Sequence, residues 1–411
     1  MNTKHLAMAA RIALIVALST GVWAAPTAQG KGYAAAAGMA VDARTGQVYV
    51  TGYSGHNVSV LDGTTGSLTR TIPLGAEMPI ALAVNASTNR VFVAGANGTA
   101  VGTVSTIDAS RGSVLRAVRV SSYPRMIVTA SQANRAFVLS GSPDFTPREL
   151  AGMSMLDAGT GELLRTFALP GYPVAATVYE PAGRLFVVTS VFSEANHVWT
   201  PELAMRDAAT GQLLRTIRLP SFISSEGVTL AADTKTARLF VTYSSLGADG
   251  DECHVSMLDA VTGAILHTIS IRPAEVYSAG MIASAVTVDQ TSGRVFVASY
   301  DETNSAGRLS ILNAKSDGVL PTVIGSAGKI PIAIAVGEDG RLVVINGTSG
   351  AGELVKNGGV RVLDASSGKL LYTVPVGAVV PSAVAMVGHL AFLMDAGGRI
   401  TLLDIRNGHI L

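Results

Sequence analysis

The string "SVLDGTTGSLTRTIPLG", from Ser59 to Gly75, returns in variant form seven more times along the chain. Its marker residue stands at Asp62, Asp108, Asp157, Asp207, Asp259, Asn313, Asp364 and Asp404, at spacings of 40 to 54 residues. A second recurring piece precedes it, as in "DARTGQVYVTGY" from Asp42, "NASTNRVFVAG" from Asn85 and "DQTSGRVFVASY" from Asp289. An apolar run such as "IALAV" at Ile80 comes before that. The order reads as strand, polar turn, aromatic-containing strand, variable loop, strand, Asp-x-x-x-Gly turn and strand. A ligand site is usually written once, whereas a building block is written many times.

Each unit is too small to hide two apolar faces, so neighbouring units must cover one another. Runs such as "LFVV" at Leu185 and "VFVA" at Val91 are apolar at successive positions, as expected of strands covered on both sides. No segment keeps a 3.6-residue apolar period over helical length, which excludes a helical solenoid. The expected class is all-β, a β-propeller of four-stranded blades. Eight blades are preferred and seven remain the alternative. The eighth unit reaches Leu411 barely into its fourth strand. Either the 25–37 extension closes the ring there, or the outer edge of that blade stays short.

Residues 1–24 read as a signal peptide. Lys4, His5 and Arg11 precede and flank a short apolar core, "IALIVALSTG", and Val22-Trp23-Ala24 offers a small-residue cleavage site. A mature protein beginning near Ala25, with one domain over 38–411, is expected to be exported to the periplasm or the extracellular space. No integral membrane segment is expected after cleavage. The uncharged stretch from Leu370 to Met394 is broken at Pro375, Gly377, Pro381 and Gly388, and reads as two or three buried strands. Cys253 is the only cysteine, so an intramolecular disulfide, a Cys-x-x-Cys-His haem attachment and a multi-cysteine zinc site are excluded. A net charge of +1 leaves no broad footprint for nucleic acid or an anionic membrane. A monomer without a cofactor is expected.

The pieces "GQVYVTGYSGHNVSVLDGTTGSLTRTIPLG" in the first unit and "GRVFVAS…LSILN" in the sixth resemble YVTN-type β-propeller repeats of the bacterial YncE-like family. The resemblance extends from about Gly38 to Leu411 and departs from the pattern at Gly52, where the repeat's Asn would stand. It implies a propeller, commonly with seven blades, and nucleic-acid binding in some members. The turn also resembles the Ala-x-Asp-x-x-Thr-Gly-x-x-x-Trp repeat of quinoprotein dehydrogenases. Here Arg70, Arg116, Arg165, Arg215, His267, Pro321 and Tyr372 occupy the Trp position, and adjacent cysteines are absent. The turn matches that family and the rest does not.

Asp at the end of a third strand can accept hydrogen bonds from the turn's own N–H groups, and Gly four residues on supplies positive φ. This accounts for the spacing without a ligand. Arg90, Arg135, Arg184, Arg238, Arg294 and Arg341 recur at the start of the second strand, as a local contact or a solvated charge; a ring binding an anion is the functional alternative. Function is expected on the opposite face, where the loops vary. Glu194, His197 and Trp199 in the fourth unit, with Asp249, Asp251, Glu252 and His254 in the fifth, form the richest polar group. His197 and His254 are weak metal-ligand candidates, without tight ligand spacing. Tyr123, Tyr172, Phe222 and Tyr277 lie on the links between units and are candidate stacking residues, with packing as the plainer role. The favoured reading is an exported, non-enzymatic scaffold for an unidentified protein, glycan or small ligand. A lactonase-like hydrolase or a dehydrogenase near His197 and His254 is the alternative, and nucleic-acid binding a further one.

Overall fold

The computed structural model describes residues 38–411 except 53–54, 76–77, 97–100, 142–150, 194–197, 220–227, 248–249, 272–280, 302–305, 315–321, 329, 348–358, 377–380 and 396–397. Each β-branched run of the repeat forms a strand, and the polar pieces between them form the turns. In the first blade, Met39–Val41, Gln47–Thr51, Asn57–Asp62 and Leu68–Pro73 pair antiparallel in chain order. The same order recurs in eight separate four-stranded sheets, so the protein is an eight-bladed β-propeller. First strands of successive blades touch one another, and that of blade 1 touches that of blade 8, which places them around the axis. The uncharged stretch near the C-terminus supplies Leu370–Pro375, Pro381–Val387 and Leu390–Asp395, three strands of blades 7 and 8. Among the described residues no helix is long and apolar enough to cross a membrane.

There is no single central core. Eight apolar clusters occupy the eight seams between neighbouring blades. The aromatic of the second strand is the fixed element of most of them. Tyr49, Phe92, Phe137, Phe186, Phe240 and Phe296 stand two residues after the repeated Arg or its counterpart, and all are fully buried. Each such ring contributes about 1.5–3 kcal/mol by burial. The Tyr49 hydroxyl donates to Gln47 Oε1 at 2.8 Å, so even the one polar ring is satisfied.

The Asp turn is built as its spacing predicts. Asp62 Oδ1 accepts from the N–H groups of Thr64 and Thr65, both at 2.9 Å, and Gly66 N–H donates to Asp62 O at 2.7 Å. Gly66 itself sits at φ +73°, and the ladder to the outer strand slips by one residue there. The repeated Arg turns out to do more than a local contact. Arg90, Arg135 and Arg184 face the Asp carboxylate of their own blade at 3.2, 3.6 and 3.8 Å. Their Nε atoms also donate across the seam to turn carbonyls of the next blade, Gly159 at 2.9 Å, Ala209 at 3.1 Å and Val261 at 3.3 Å. Arg70 and Arg215, at the position where a quinoprotein carries Trp, donate to Ser110 O and Thr262 O of the following blade. The arginines therefore fasten blade to blade.

The seam between blades 8 and 1 is different. Blade 8 ends in a two-residue outer strand, His409–Ile410, paired with Leu403 and Asp404. Outer strands elsewhere insert apolar side chains at alternate positions into the next seam, as Ile72 and Leu74, Ile269 and Ile271, and Tyr372 and Val374 do. The cluster of the closing seam receives none from the outer strand of blade 8.

Two tests follow from the turns. Gly183 and Gly211 both hold positive φ, +60° and +73°. A Cβ on Gly183 would meet nothing within 4 Å, whereas one on Gly211 would lie 2.6 Å from the Phe167 ring. In urea unfolding, Gly183→Ala should cost about 1–2 kcal/mol and Gly211→Ala about 1–3 kcal/mol more. The second test is acid. Side-chain hydrogen bonds from Ser366 hold the Asp364 carboxyl at about 2, against an ordinary 3.8, and Arg406 holds Asp404 at about 2. Depressed carboxylates stabilise the fold fully above their unfolded value, and that stability drains as pH falls through the folded one. The urea midpoint should stay level from pH 8 to about 5 and fall steeply between about 4 and 2.

Candidate functional site

The Asp turns and the turns between first and second strands share one face of the ring; the second-to-third loops and the links share the other. On the link face two blades stand out. The second and third strands run ten residues each in blade 4, Arg184–Ser193 and Val198–Asp207, and in blade 5, Arg238–Gly247 and Gly250–Asp259. In the other six blades these strands run five to eight residues. Pairing continues to Ser193↔Val198 and to Gly247↔Gly250, so both hairpins reach past the common level of the ring.

These hairpins carry the polar residues that the sequence singles out. Trp199 lies opposite Phe192 on the third strand of blade 4, and Asp251 opposite Leu246 on that of blade 5. Glu194, His197, Asp249, Phe222 and Tyr277 lie outside the described residues. Glu252 and His254 are brought together. The His254 ring is buried, with Nε2 2.5 Å from Ser245 Oγ and 3.9 Å from a Glu252 carboxylate oxygen. Its Nδ1 lies 3.0 Å from Ser270 Oγ. Tyr243 stacks on it with ring centroids 5.2 Å apart; the Tyr243 hydroxyl continues the network to Ser256 Oγ at 3.1 Å, and Ser256 Oγ in turn meets Thr268 Oγ1 at 2.8 Å.

Sequence reasoning passed over Ser245, Ser256, Thr268 and Ser270. None belongs to a motif, and each meets its partner only through strand register. Tyr243 faces His254, Ser256 faces Thr268, and His254 faces Ser270 across adjacent strands. With the strand bounds known, period two would have placed them on one side of the blade.

The chemistry of this group is constrained by where the imidazole contacts fall. A Ser–His pair activates its hydroxyl best when a carboxylate holds the other ring nitrogen. Here Glu252 approaches the nitrogen that faces Ser245, and a hydroxyl faces the other. The arrangement fits a satisfied polar pin inside the long hairpin better than a relay. Among the described residues no three His, Cys, Asp or Glu side chains converge as a metal site requires.

Further polar groups lie beneath the same face. Ser140, Thr189, Ser190, Ser244 and Ser299 occupy corresponding positions towards the link-face ends of second strands, and among the described residues their buried hydroxyl oxygens meet no hydrogen-bond partner. Such groups cost about 1–3 kcal/mol each when left unpaired. Of the link aromatics, Tyr123 is half-buried at φ +55°, a strained conformation for a bulky residue. The Arg125 guanidinium of blade 3 lies 5.8 Å above the Tyr172 ring of blade 4, close to the axis. The structure thus places Tyr172 beside a cation as well as in the packing.

A cavity of about 520 Å³ lies elsewhere, at the seam of blades 8 and 1. Ser59, Leu61, Gly66, Leu68, Ile400 and Leu402 line part of it, in the slot that an outer strand fills in other seams. None of the described residues that line it has a charged side chain, and it belongs to ring closure rather than to the polar link face.

No family model and no curated protein matches the chain. Among solved structures it is similar to the computationally designed Ika8 protein, at 16% identity over 90% of this chain and 97% of that one, with a TM-score of 0.62. It is also similar to the dihydro-heme d1 dehydrogenase NirN in complex with DHE, at 15% identity over 98% and 78%, TM-score 0.59. A third is Kuenenia stuttgartiensis hydrazine synthase, at 15% identity over 93% and 99%, TM-score 0.52. At such identities the likeness establishes the fold alone.

Cys253 sits within this hairpin, fully buried, and burial pushes its thiol up to about 12. A disulfide reagent at about pH 8 should leave the native protein unlabelled and label the chain once it is unfolded in guanidinium. Rapid labelling of the native state would show that the blade 5 hairpin opens.

Proposed function

We propose that the protein is an exported, YVTN-repeat propeller that acts as a binding scaffold through its link face, with the long hairpins of blades 4 and 5 as the contact elements. The observation that carries this reading is the break in repeat uniformity. Turn-face chemistry recurs from blade to blade and is used up in fastening the ring. On the link face two neighbouring blades grow outward, above buried hydroxyls that have no partner among the described residues. Rigid strands that present variable loops are the usual way a repeat scaffold carries recognition. Hydroxyls suit a glycan or a peptide main chain.

A hydrolase reading is favoured by one contact, that of Ser245 Oγ with His254 Nε2. On the remaining nitrogen stands the hydroxyl of Ser270, and Ser245 is itself buried. Binding is therefore the better supported of the two.

The test compares the parent protein with two variants on glycan and peptide arrays. One replaces residues 246–251 by Asn-Gly, and the other shortens the corresponding loop of blade 6. A ligand held by the parent and the blade 6 variant, and lost from the blade 5 variant, is the expected result. Array binding that neither change alters would refute the proposal. Turnover of nitrophenyl esters or lactones should stay at background; turnover abolished by Ser245→Ala would establish the hydrolase reading instead.

A further inference from the structure

The outer wall of the ring carries a second, separate surface. On most blades the outer strand begins just after an Asp turn, and among the described residues its early positions carry exposed branched aliphatics. On blades 1 to 4 these are Leu68, Val114, Leu115, Leu164, Leu213 and Leu214, between 40% and 60% exposed. Exposed leucines taken singly need no explanation, but repetition at one level of four adjacent blades makes a patch.

The charge of that wall is one-sided. None of the eight outer strands contains Asp or Glu. Their five arginines, Arg70, Arg116, Arg119, Arg165 and Arg215, all fall on blades 1 to 4, and all are exposed. Arg218 follows directly after the outer strand of blade 4 and is exposed as well. The outer strands of blades 5 to 8 carry aliphatics too, such as Leu370 and Leu371, but no arginine. Half-buried Glu202, one residue before the Leu203↔Ile217 pair, stands across from Arg218; the Asp-turn carboxylates of these blades accept the turns' own N–H groups, and Glu162 is exposed. The whole chain has a net charge of only +1, so this arc is invisible in the total.

From this pairing we infer that the outer wall of blades 1 to 4 is a docking surface for an anionic lipid bilayer, against which the ring stands on edge. Leucines beside arginines match the two layers of a membrane interface, with aliphatics entering the acyl boundary and guanidiniums meeting lipid phosphates. A nucleic acid would satisfy the arginines but offers nothing to branched aliphatics, and it would call for stacking aromatics, of which these outer strands have only Phe167. The surface lies away from the link face and is independent of what that face binds.

The test is flotation of the full chain with vesicles of phosphatidylcholine alone or with about one-third phosphatidylglycerol. Binding to the anionic vesicles only, weakened at about 0.5 M salt, is expected. The triple variant Arg116→Gln, Arg119→Gln, Arg218→Gln should bind about tenfold or more weakly, and the corresponding lysine triple should bind like the parent. Leu115→Ser with Leu214→Ser should also lower binding, whereas Leu370→Ser with Leu371→Ser on blade 7 should not. All these positions are exposed, and unchanged thermal melts confirm that the variants are folded. Equal binding to neutral vesicles, no binding to either, an equal loss from the blade 7 pair, or tighter binding to an oligonucleotide than to anionic vesicles would each overturn the inference.

Discussion

The ring depends on a short electrostatic relay at the turn face. An Asp carboxylate gathers the N–H groups of its own turn, an arginine from the second strand stands against that carboxylate, and the same arginine donates to the next blade's turn. The turn carbonyls it reaches are spare acceptors left by the tight reversal into the outer strand. Backbone that would otherwise face water is thereby used to set the angle between blades. Apolar packing in the seams supplies most of the driving force, yet such packing is non-directional. The relay is directional, and it spans the three successive seams from blade 2 to blade 5.

Much of this was legible in the text of the chain, and the reason is repetition. A carboxylate four residues before a glycine is ambiguous once; seven times in eight units, each followed by strand, it is a turn. The buried aromatic two residues after the arginine was legible on the same ground, and so was the blade number. What the arginines reach was not, because Gly159, Ala209 and Val261 come within their range only when blades stack at a particular angle. Ser245 and Ser270 were hidden for a different reason. They are ordinary serines outside any repeat, and only strand register sets them against His254. The basic arc on the outer wall escaped a reading based on net charge, since a sum discards position.

The two faces of the disc consequently divide the work. Where the repeat is strict, side chains are committed to one another and to neighbouring turns. Where it loosens, at the long hairpins of blades 4 and 5, the second and third strands continue past the length they have in the other blades. His254 and Tyr243 occupy the middle of that freedom, stacked and hydrogen-bonded within one blade. Stiffening the base of a long hairpin keeps its tip in a narrow range of positions, which lowers the entropy lost when the tip meets a partner.

Because each blade is one contiguous stretch of chain, seven seams join units adjacent in sequence and one joins blade 8 to blade 1. Assembly can therefore proceed as an array growing by local additions, each seam forming between chain neighbours. The contact of Met39–Val41 with Pro381–Val387 is the exception, since it must bring together segments from opposite ends of the domain. Its loop-closure entropy exceeds that of the other seams, and among the described residues no strand from blade 1 is woven into blade 8 to hold it. An open arc of stacked blades is thus the natural precursor of the closed ring, and that seam is where the ring would first come apart.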